Sequence, residues 1–241
     1  MVAFHGAHVV VTGGTGALGS AVVTALRAAG AICHVTNMVA AELEHYPLRG
    51  DPGVHITTGI DLSHEAAVQR FYSGLPPLWA SIHLAGGFAM SPVGETSAEA
   101  FADQFQMNAL SSFLCSAAAI RAIRTRGEPG PGGVKGGRIV NVAARPALEP
   151  RLGSGMVAYT TAKAAVAALT QAIAQETASE EIWVNAVAPS VLDTPANRAA
   201  MPDADFTTWV QPSSVAEVIA FLASPDNKVT RGAVVPVYGA V

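Results

Sequence analysis

The chain has 241 residues, of which 50% are hydrophobic and 13% are charged, and its formal net charge is −4. This composition predicts one well-packed globular domain over residues 1–241; it excludes a disordered chain, and the lack of a basic stripe argues against nucleic acid as a partner. Cys33 and Cys115 lie in separate apolar segments, no run of 18 apolar residues occurs, and the N-terminus lacks the basic region of a signal peptide. We therefore expect a soluble cytoplasmic protein with two core thiols and no membrane partner.

Short runs rich in Val and Ile alternate with longer Ala-rich runs along the chain, and these predict strands and helices respectively. The predicted strands are 7–12, 31–36, 54–58, 79–85, 138–142, 182–188 and 233–237. The predicted helices are 17–29, 64–72, part of 98–126, 157–177 and 213–223, and the glycines and prolines of 127–137 predict a flexible loop. Because the strands are almost continuously apolar, we expect an α/β protein with a single-domain Rossmann fold, a doubly wound parallel sheet of about seven strands with helices on both faces.

A glycine-rich turn, TGGTGALG at 12–19, follows the first predicted strand directly. Glycine has no Cβ, so the chain can turn sharply there and let a pyrophosphate approach its backbone. The next helix would present its free N–H groups and the positive end of its dipole to the phosphates. Such a turn alone is weak evidence, but between the first strand and the first helix of an alternating chain it indicates a dinucleotide site.

The end of the second predicted strand bears on the choice between NAD and NADP. Asn37 stands where an acidic residue would bind the ribose hydroxyls, and Met38 stands where an Arg would often meet a 2′-phosphate. No Lys or Arg occurs in the glycine turn or directly after this strand, so the pattern favours NAD and leaves NADP open. Asp61, after the third strand, fits two interpretations equally: it holds the adenine amino group, or it stabilises the start of the following helix.

Tyr159 and Lys163 lie four residues apart at the start of a long predicted helix, so they share one face, one turn apart. A free phenol, with a pKa of about 10, is a poor acid or base at neutral pH. A lysine cation, aided by a positive nicotinamide, would lower that pKa. This spacing is common on helices, and only the glycine turn upstream makes the pair a candidate for proton transfer.

These motifs together resemble the short-chain dehydrogenases/reductases over essentially the whole chain. The resemblance rests on TGGTGALG at 12–19, LAGG at 84–87, Asn108, IVNVAA at 139–144, YTTAK at 159–163 and PSVLDTP at 189–195. It implies that Tyr159 transfers a proton at the substrate and that Lys163 lowers the pKa of Tyr159 and binds the nicotinamide ribose. It also implies that Asn108 kinks its helix and supports a water that links Lys163 to solvent.

The same resemblance implies a set of cofactor contacts and an oligomer. The backbone near Val191 and the Thr194 hydroxyl would hold the carboxamide. The two long helices, within 98–126 and 157–177, would form the interface of a homodimer or homotetramer. The full set of implied cofactor-binding residues is Gly13, Thr15, Gly16, Ala17, Leu18, Gly19, Asn37, Asp61, Leu62, Ala85, Gly86, Gly87, Tyr159, Lys163, Pro189, Val191 and Thr194.

The chain departs from the family pattern at three places. Ala17 replaces a glycine that is usual in the phosphate turn, and Leu84 stands where the family often has Asn. The family usually places a serine after the fifth strand to bind the substrate oxygen, and here that region contains Ala143 and Ala144. Ser154 is the nearest serine on that loop, and it would have to swing in to replace the missing hydroxyl.

The missing serine favours a substrate other than an ordinary ketone, because losing such a donor costs orders of magnitude in rate. The dihydropteridine reductase-like branch of the family also lacks it, and LDTPANRAAMPDADFTTW at 192–209 resembles that branch. In this fold that stretch belongs to a lid around 190–212 that covers the substrate. Candidate substrate contacts are Phe88, Met90, Ala144, Met156, Met201, Phe206 and Trp209, and Arg145, Arg151 and Arg198 fit either an anionic substrate or solvated loops.

The leading hypothesis is an NAD- or NADP-dependent oxidoreductase that transfers hydride between the nicotinamide and a carbonyl, imine or quinonoid substrate, with dihydropteridine-like reduction as one option. The alternatives are a reductase of an unrelated small ketone and a non-catalytic dinucleotide-binding or redox-sensing protein. The seven histidines are scattered, and no His or Cys spacing predicts a metal site.

Overall fold

A computed structural model describes residues 4–239 and contains one sheet of seven parallel strands. The strands are β1 (His8–Thr12), β2 (Ile32–Asn37), β3 (Val54–Thr58), β4 (Leu78–His83), β5 (Gly137–Val142), β6 (Ile182–Pro189) and β7 (Val234–Val237). Their order across the sheet is β3-β2-β1-β4-β5-β6-β7. The chain reverses its direction of travel across the sheet between β1 and β4, and ligands of such sheets bind at the carboxyl ends of the strands near this switch.

Helices cover both faces of the sheet. They are α1 (Ala17–Ala28), α2 (Glu65–Ser73), α3 (Ala98–Phe105), α4 (Ser111–Arg124), α5 (Arg145–Leu148), α6 (Val157–Glu176), α7 (Pro195–Ala200) and α8 (Pro212–Ala223). A π-helical turn, Gln106–Leu110, joins α3 to α4. None of the helices within residues 4–239 is both long and apolar enough to cross a membrane.

Successive residues of β1 show how one strand serves two cores. Val9 and Val11 pack with α1 and α8 on one face, whereas Val10 packs with α2 and α4 on the other. All three side chains are fully buried, because side chains alternate between the faces of a sheet and both faces are covered here. Cys33 and Cys115 are free and buried, which confirms them as core thiols.

The expected α/β Rossmann fold is confirmed, and most element boundaries fall within two residues of the prediction. The predicted fourth strand was too long, since it ends at His83. Leu84 and Ala85 leave the sheet because their N–H groups bind the backbone oxygen and the hydroxyl of Thr12 instead. The predicted loop 127–137 holds one short 3-10 turn, Pro131–Gly133, in which Gly132 has a left-handed φ of +66°, and its last residue, Gly137, begins β5.

Candidate active site

The turn between β1 and α1 has the geometry of a phosphate site. Gly13 adopts a left-handed φ of +63°, and a Cβ on Gly19 would lie 2.2 Å from the Gly13 carbonyl oxygen, so only glycine fits at position 19. Gly16 precedes α1 and supplies no side-chain cap. Within residues 4–239 the first N–H groups of α1 therefore have no side-chain acceptor and are available to an anion.

A cleft of about 540 Å³ lies between this turn and the segments that follow β3 and β4. Sites for small molecules and cofactors have volumes of about 300–1,000 Å³. The expected cofactor residues that line the cleft are Gly13, Thr15, Gly16, Asp61, Leu62, Ala85 and Gly86. The expected cofactor residues outside that lining are Ala17, Leu18, Gly19, Asn37, Gly87, Tyr159, Lys163, Pro189, Val191 and Thr194.

Glu42 is a cleft residue that sequence reasoning missed. Its carboxylate accepts hydrogen bonds from the Thr15 hydroxyl, at 2.5 Å, and from the Asn37 amide nitrogen, at 3.2 Å. The same amide nitrogen donates to Thr15 Oγ1 at 2.8 Å and to the Val39 carbonyl at 3.0 Å. Glu42 lies in a 3-10 turn, Ala40–Leu43, that has no hydrophobic periodicity, so nothing in the sequence pattern directs it into the site.

The charged side chains that line the cleft are all carboxylates: Glu42, Asp61 and Asp103. Asp61 accepts from the Ser63 N–H and hydroxyl and pairs with His64 at 2.8 Å, just before α2 begins. The Ser63 hydrogen bonds hold the pKa of Asp61 below its usual value. Asp61 therefore orders the turn that precedes α2 without capping the helix, and it also faces the cleft, so its contact with the adenine stays a prediction.

Tyr159 and Lys163 lie on the first turns of α6. Lys163 is buried, its Nζ donates to the Val142 carbonyl at 2.8 Å, and it lies 5.8 Å from the centre of the Tyr159 ring. Burial lowers the pKa of Lys163 to about 8 and raises the pKa of Tyr159 to about 12. The expected lowering of the Tyr159 pKa is thus outweighed by burial in the protein alone, where Lys163 donates to Val142 and makes no hydrogen bond to the Tyr159 hydroxyl within the described chain.

Asn108 lies in the π-helical turn that separates α3 from α4, so the helix is irregular where the resemblance implied a kink. Its amide nitrogen donates to the carbonyls of Gly87, at 2.9 Å, and Gln104, at 3.0 Å, and its amide oxygen accepts from the Gly87 N–H. A Cβ on Gly86 would lie 2.5 Å from Asn108 Oδ1 and 3.5 Å from Lys163 Nζ. The loop after β4 is therefore held directly against both side chains.

Several residues that were expected to contact a substrate lie on loops after β4 and β5. The Phe88 ring packs edge-on against Tyr159 with 4.9 Å between ring centres, and a β-bridge joins Ser91 to Met156. Ala144 is buried directly before α5. Ser154 is exposed, and its hydroxyl has no hydrogen bond within residues 4–239.

The expected lid is an internally braced segment. A β-bridge joins Leu192 to Val210, and Asp193 binds Arg198 through two hydrogen bonds of 2.5 and 2.7 Å. Thr194 caps α7 by accepting from the Asn197 N–H at 3.1 Å. In the same segment the Phe206 and Trp209 rings lie 4.8 Å apart and Met201 is partly exposed.

Two of the three loop arginines have carboxylate partners. Arg198 binds Asp193, and Arg145 pairs with Glu149 at 3.2 Å and lies over the Tyr238 ring. These contacts reduce the capacity of Arg145 and Arg198 to bind an anionic substrate. Arg151 is exposed on the 3-10 turn after α5.

A family model for the short chain dehydrogenases matches residues 7–205 of this chain. The L-xylulose reductase of Bos taurus is 30% identical, with 97% of this chain and 96% of that protein covered. The chain belongs to the short-chain dehydrogenase family. As a short-chain dehydrogenase, it is an oxidoreductase that works with NAD or NADP.

Two further comparisons agree with this assignment. Carbonyl reductase [NADPH] 2 of Sus scrofa is 27% identical to this short-chain dehydrogenase, covering 95% of this chain and 93% of that one. A solved short chain oxidoreductase from Pseudomonas aeruginosa, described as having an atypical catalytic center, superposes with a TM-score of 0.87 at 23% identity over 99% of this chain and 98% of that one, a likeness in fold alone. The relatives are xylulose and carbonyl reductases, so they do not single out the dihydropteridine reductase-like branch.

The residues of this short-chain dehydrogenase fit a nicotinamide dinucleotide. The glycine turn has room for phosphates only because no Cβ occupies it, and the cleft continues from that turn toward Gly86, which adjoins Lys163 and Asn108. The cleft thus runs from the start of α1 to Gly86, and Lys163 and Tyr159 lie beyond Gly86, outside the cleft lining.

Proposed function

We propose that this short-chain dehydrogenase reduces a carbonyl or quinonoid substrate, with Tyr159 as the only side-chain proton donor at the reacting atom. The observation that carries the proposal is that Lys163 lies over the Tyr159 ring and donates to the Val142 carbonyl, two residues before a buried Ala144 where the family usually has serine. A bound nicotinamide cofactor would supply or accept the hydride. The glycine turn and the cleft support cofactor binding. The Tyr–Lys pair supports catalysis in addition, because a protein that only binds the cofactor does not require it.

Each residue of the pair has a separate task. Lys163 is held at Val142 and over the Tyr159 ring, so its positive charge stabilises the tyrosinate that remains after proton transfer. Lys163 would also bind the nicotinamide ribose, and Val191 and Thr194 would hold the carboxamide. Asn108 holds the loop at Gly87 in place, and Phe88 covers Tyr159 from the substrate side.

Ala144 favours a quinonoid ring, such as a dihydropterin, over an ordinary ketone. A ketone oxygen develops charge in the transition state and needs a second donor, whose loss costs about 10²–10³-fold in rate. Ala144 provides none. The apolar candidates Phe88, Met90, Met156, Met201, Phe206 and Trp209 suit a planar ring. The second candidate is a small carbonyl compound, which the 30% identity to an L-xylulose reductase favours.

The variant Ala144→Ser separates these candidates. We expect the native enzyme to oxidise NADH with quinonoid dihydropterin and to turn over L-xylulose and diacetyl slowly, because both ketones need the missing hydroxyl. Ala144→Ser should raise ketone turnover by about tenfold or more and leave quinonoid turnover unchanged. Efficient ketone reduction by the native enzyme, with no gain in the variant, would favour the second candidate. Cofactor binding without turnover of any substrate would favour a redox-sensing protein.

NAD is the cofactor that the cleft favours. Its charged lining consists of carboxylates, and no Lys or Arg lines it within the described part of the chain. Glu42, held by Thr15 and Asn37, would accept hydrogen bonds from ribose hydroxyls and would repel a 2′-phosphate. This extends the slight preference for NAD that Asn37 alone gave. The two free buried cysteines support a reducing, cytoplasmic location.

Glu42→Gln tests the choice of cofactor, and Glu44→Gln is its matched control. Glu44 lies at the end of the same 3-10 turn and is exposed. Removing the Glu42 charge should raise the ratio of kcat/KM for NADPH to that for NADH by about tenfold, which corresponds to about 1.4 kcal/mol. The control should leave the ratio unchanged. A native preference for NADPH, or equal ratios in both variants, would contradict the assignment.

A further inference from the structure

Buried polar side chains form a hydrogen-bonded network beside the Tyr159–Lys163 pair. Its members come from α2, β4, β5 and α6, and each is at most 4% exposed. None of them has a part in the proton or hydride transfer described above. The members are Tyr72, Ser81, His83, Asn141 and Thr170.

The directions of the hydrogen bonds in this network can be assigned starting from Thr170 on α6. The Thr170 hydroxyl uses its one hydrogen to bind the Val166 carbonyl at 2.7 Å, so it must accept from the Asn141 amide nitrogen at 2.9 Å. Asn141 Oδ1 is then the acceptor for His83 Nδ1 at 2.7 Å. His83 therefore carries a hydrogen on Nδ1. Burial lowers the pKa of His83 to about 4, so the ring is neutral and its Nε2 accepts from the Ser81 hydroxyl at 2.8 Å.

The network connects α6 to β5 at Asn141, which is next to the residue that binds Lys163. Asn141 binds Thr170 through its side chain, and its neighbour Val142 binds Lys163 through its carbonyl. Lys163 and Thr170 are seven residues apart, about two helical turns, so they lie on the same side of α6. Two consecutive residues of β5 thus hold two points on one side of the helix.

This arrangement links the network to the reacting groups. The position of α6 along β5 decides where Lys163 Nζ and the Tyr159 ring lie. Val142 alone does not fix it, because a flexible lysine can follow a moving carbonyl. The Asn141–Thr170 contact is short, buried and directional, and His83 prevents the Asn141 amide from turning over.

We propose that Asn141 and Thr170 are positioning residues for Lys163, and that His83 fixes the orientation of the Asn141 amide. The proposal rests on the proposed function, since it assigns the network to the Tyr–Lys pair. The competing interpretation is that these groups only satisfy one another within the core. The two interpretations predict different turnover for a variant that lacks the Asn141–Thr170 hydrogen bond and keeps the fold.

Thr170→Val removes the hydroxyl at nearly constant volume, and Thr177→Val is a matched control. Thr177 caps the far end of α6, is also fully buried, and its hydroxyl binds the carbonyls of Ile173 and Ile182. The two variants should lower the thermal midpoint by similar amounts. Thr170→Val should lower kcat by about tenfold to a hundredfold with little change in the KM of the substrate, because misplacing a reacting group acts on the chemical step. Thr177→Val should leave both constants near native values.

Rescue and hydrogen exchange complete the test. Thr170→Ser, which restores the hydroxyl, should recover most of the native kcat. Amide exchange of residues 157–166 should be faster in Thr170→Val than in Thr177→Val, and this readout needs no turnover. Equal kcat in the two valine variants, no rescue by serine, or unchanged exchange at 157–166 would overturn the proposal. If the native enzyme turned over none of the substrates with NADH, the proposed function would fail. Amide hydrogen exchange would still decide whether the Asn141–Thr170 hydrogen bond positions the start of α6.

Discussion

Burial shifts the pKa values of Tyr159 and Lys163 in opposite directions. It raises the pKa of the phenol to about 12 and lowers the pKa of the ammonium to about 8, because an apolar environment disfavours each charged form. At neutral pH the resting pair is therefore a neutral phenol beside a lysine cation, which is the state required to donate a proton to a substrate.

The pH dependence of substrate reduction follows from these two values. Tyr159 keeps its proton throughout the working range, and Lys163 loses its charge as the pH rises through about 8. We expect kcat for reduction to be level between about pH 6 and 7.5 and to fall above about pH 8. Steady-state rates at saturating NADH would show this fall in kcat. Lys163→Met should have a low kcat that does not fall further above pH 8. A reduction rate that climbs from pH 8 to 10 is incompatible with these assignments.

Individual residues also show how far sequence reasoning reaches. Gly13, Gly19, Tyr159 and Lys163 could be predicted because each is required by a local motif whose spacing is fixed by one turn or one helix. Glu42 could not, since it enters the cleft through a 3-10 turn and through bonds to residues that are distant in sequence.

At the scale of elements, long segments were predictable and short ones were not. The strands are predictable because they are almost continuously apolar, and α1, α2, α6 and α8 are long enough for their composition to stand out. The helices α5 and α7 have four and six residues, too few for a period, and they arise from Pro at the first helical turn and from the Thr194 cap. The π-helical turn at Asn108 was expected only as a kink, from the resemblance.

An ion pair between Asp193 and Arg198 is one of the contacts that brace the expected lid. Asp193 accepts from Arg198 and from Gln211 at 2.7 Å, and the Arg198 hydrogen bonds lower the pKa of Asp193 to about 2. Asp193→Asn weakens this brace, so we expect the KM of the substrate to rise about threefold to tenfold while the KM of NADH changes little. Asp205→Asn is the control, because Asp205 bonds only within its own turn, to Thr207 and Thr208. Equal KM values in the two variants would show that the brace does not hold the lid.

The whole molecule brings the site together from segments that are far apart in sequence. The cleft lies at the carboxyl ends of β1, β3 and β4, and Lys163 adjoins its Gly86 edge because α6 packs against β5 and β6. The order of the strands could be predicted from the family resemblance, and the packing of side chains such as His83 on Asn141 could not. Such contacts depend on three-dimensional neighbours that no local pattern encodes.

The surface predicts an oligomer. Phe101 and Phe105 on α3 and Phe113 on α4 are 39%, 40% and 50% exposed, a large apolar area for a lone protein. We expect a homodimer or homotetramer by light scattering at micromolar concentration. Phe113→Arg should shift the population toward smaller species without loss of the folded state. A native monomer at that concentration would refute this prediction.

The role of Tyr159 as proton donor is tested by comparing single-turnover oxidation of bound NADH in the native enzyme and in Tyr159→Phe, with quinonoid dihydropterin as substrate. Cofactor affinity, followed by NADH fluorescence, should be nearly unchanged, because the ring and Lys163 remain. The rate of NADH oxidation should fall by about 10²-fold or more, because no other side-chain donor replaces the phenol. An unchanged rate in Tyr159→Phe would show that Tyr159 is not the proton donor.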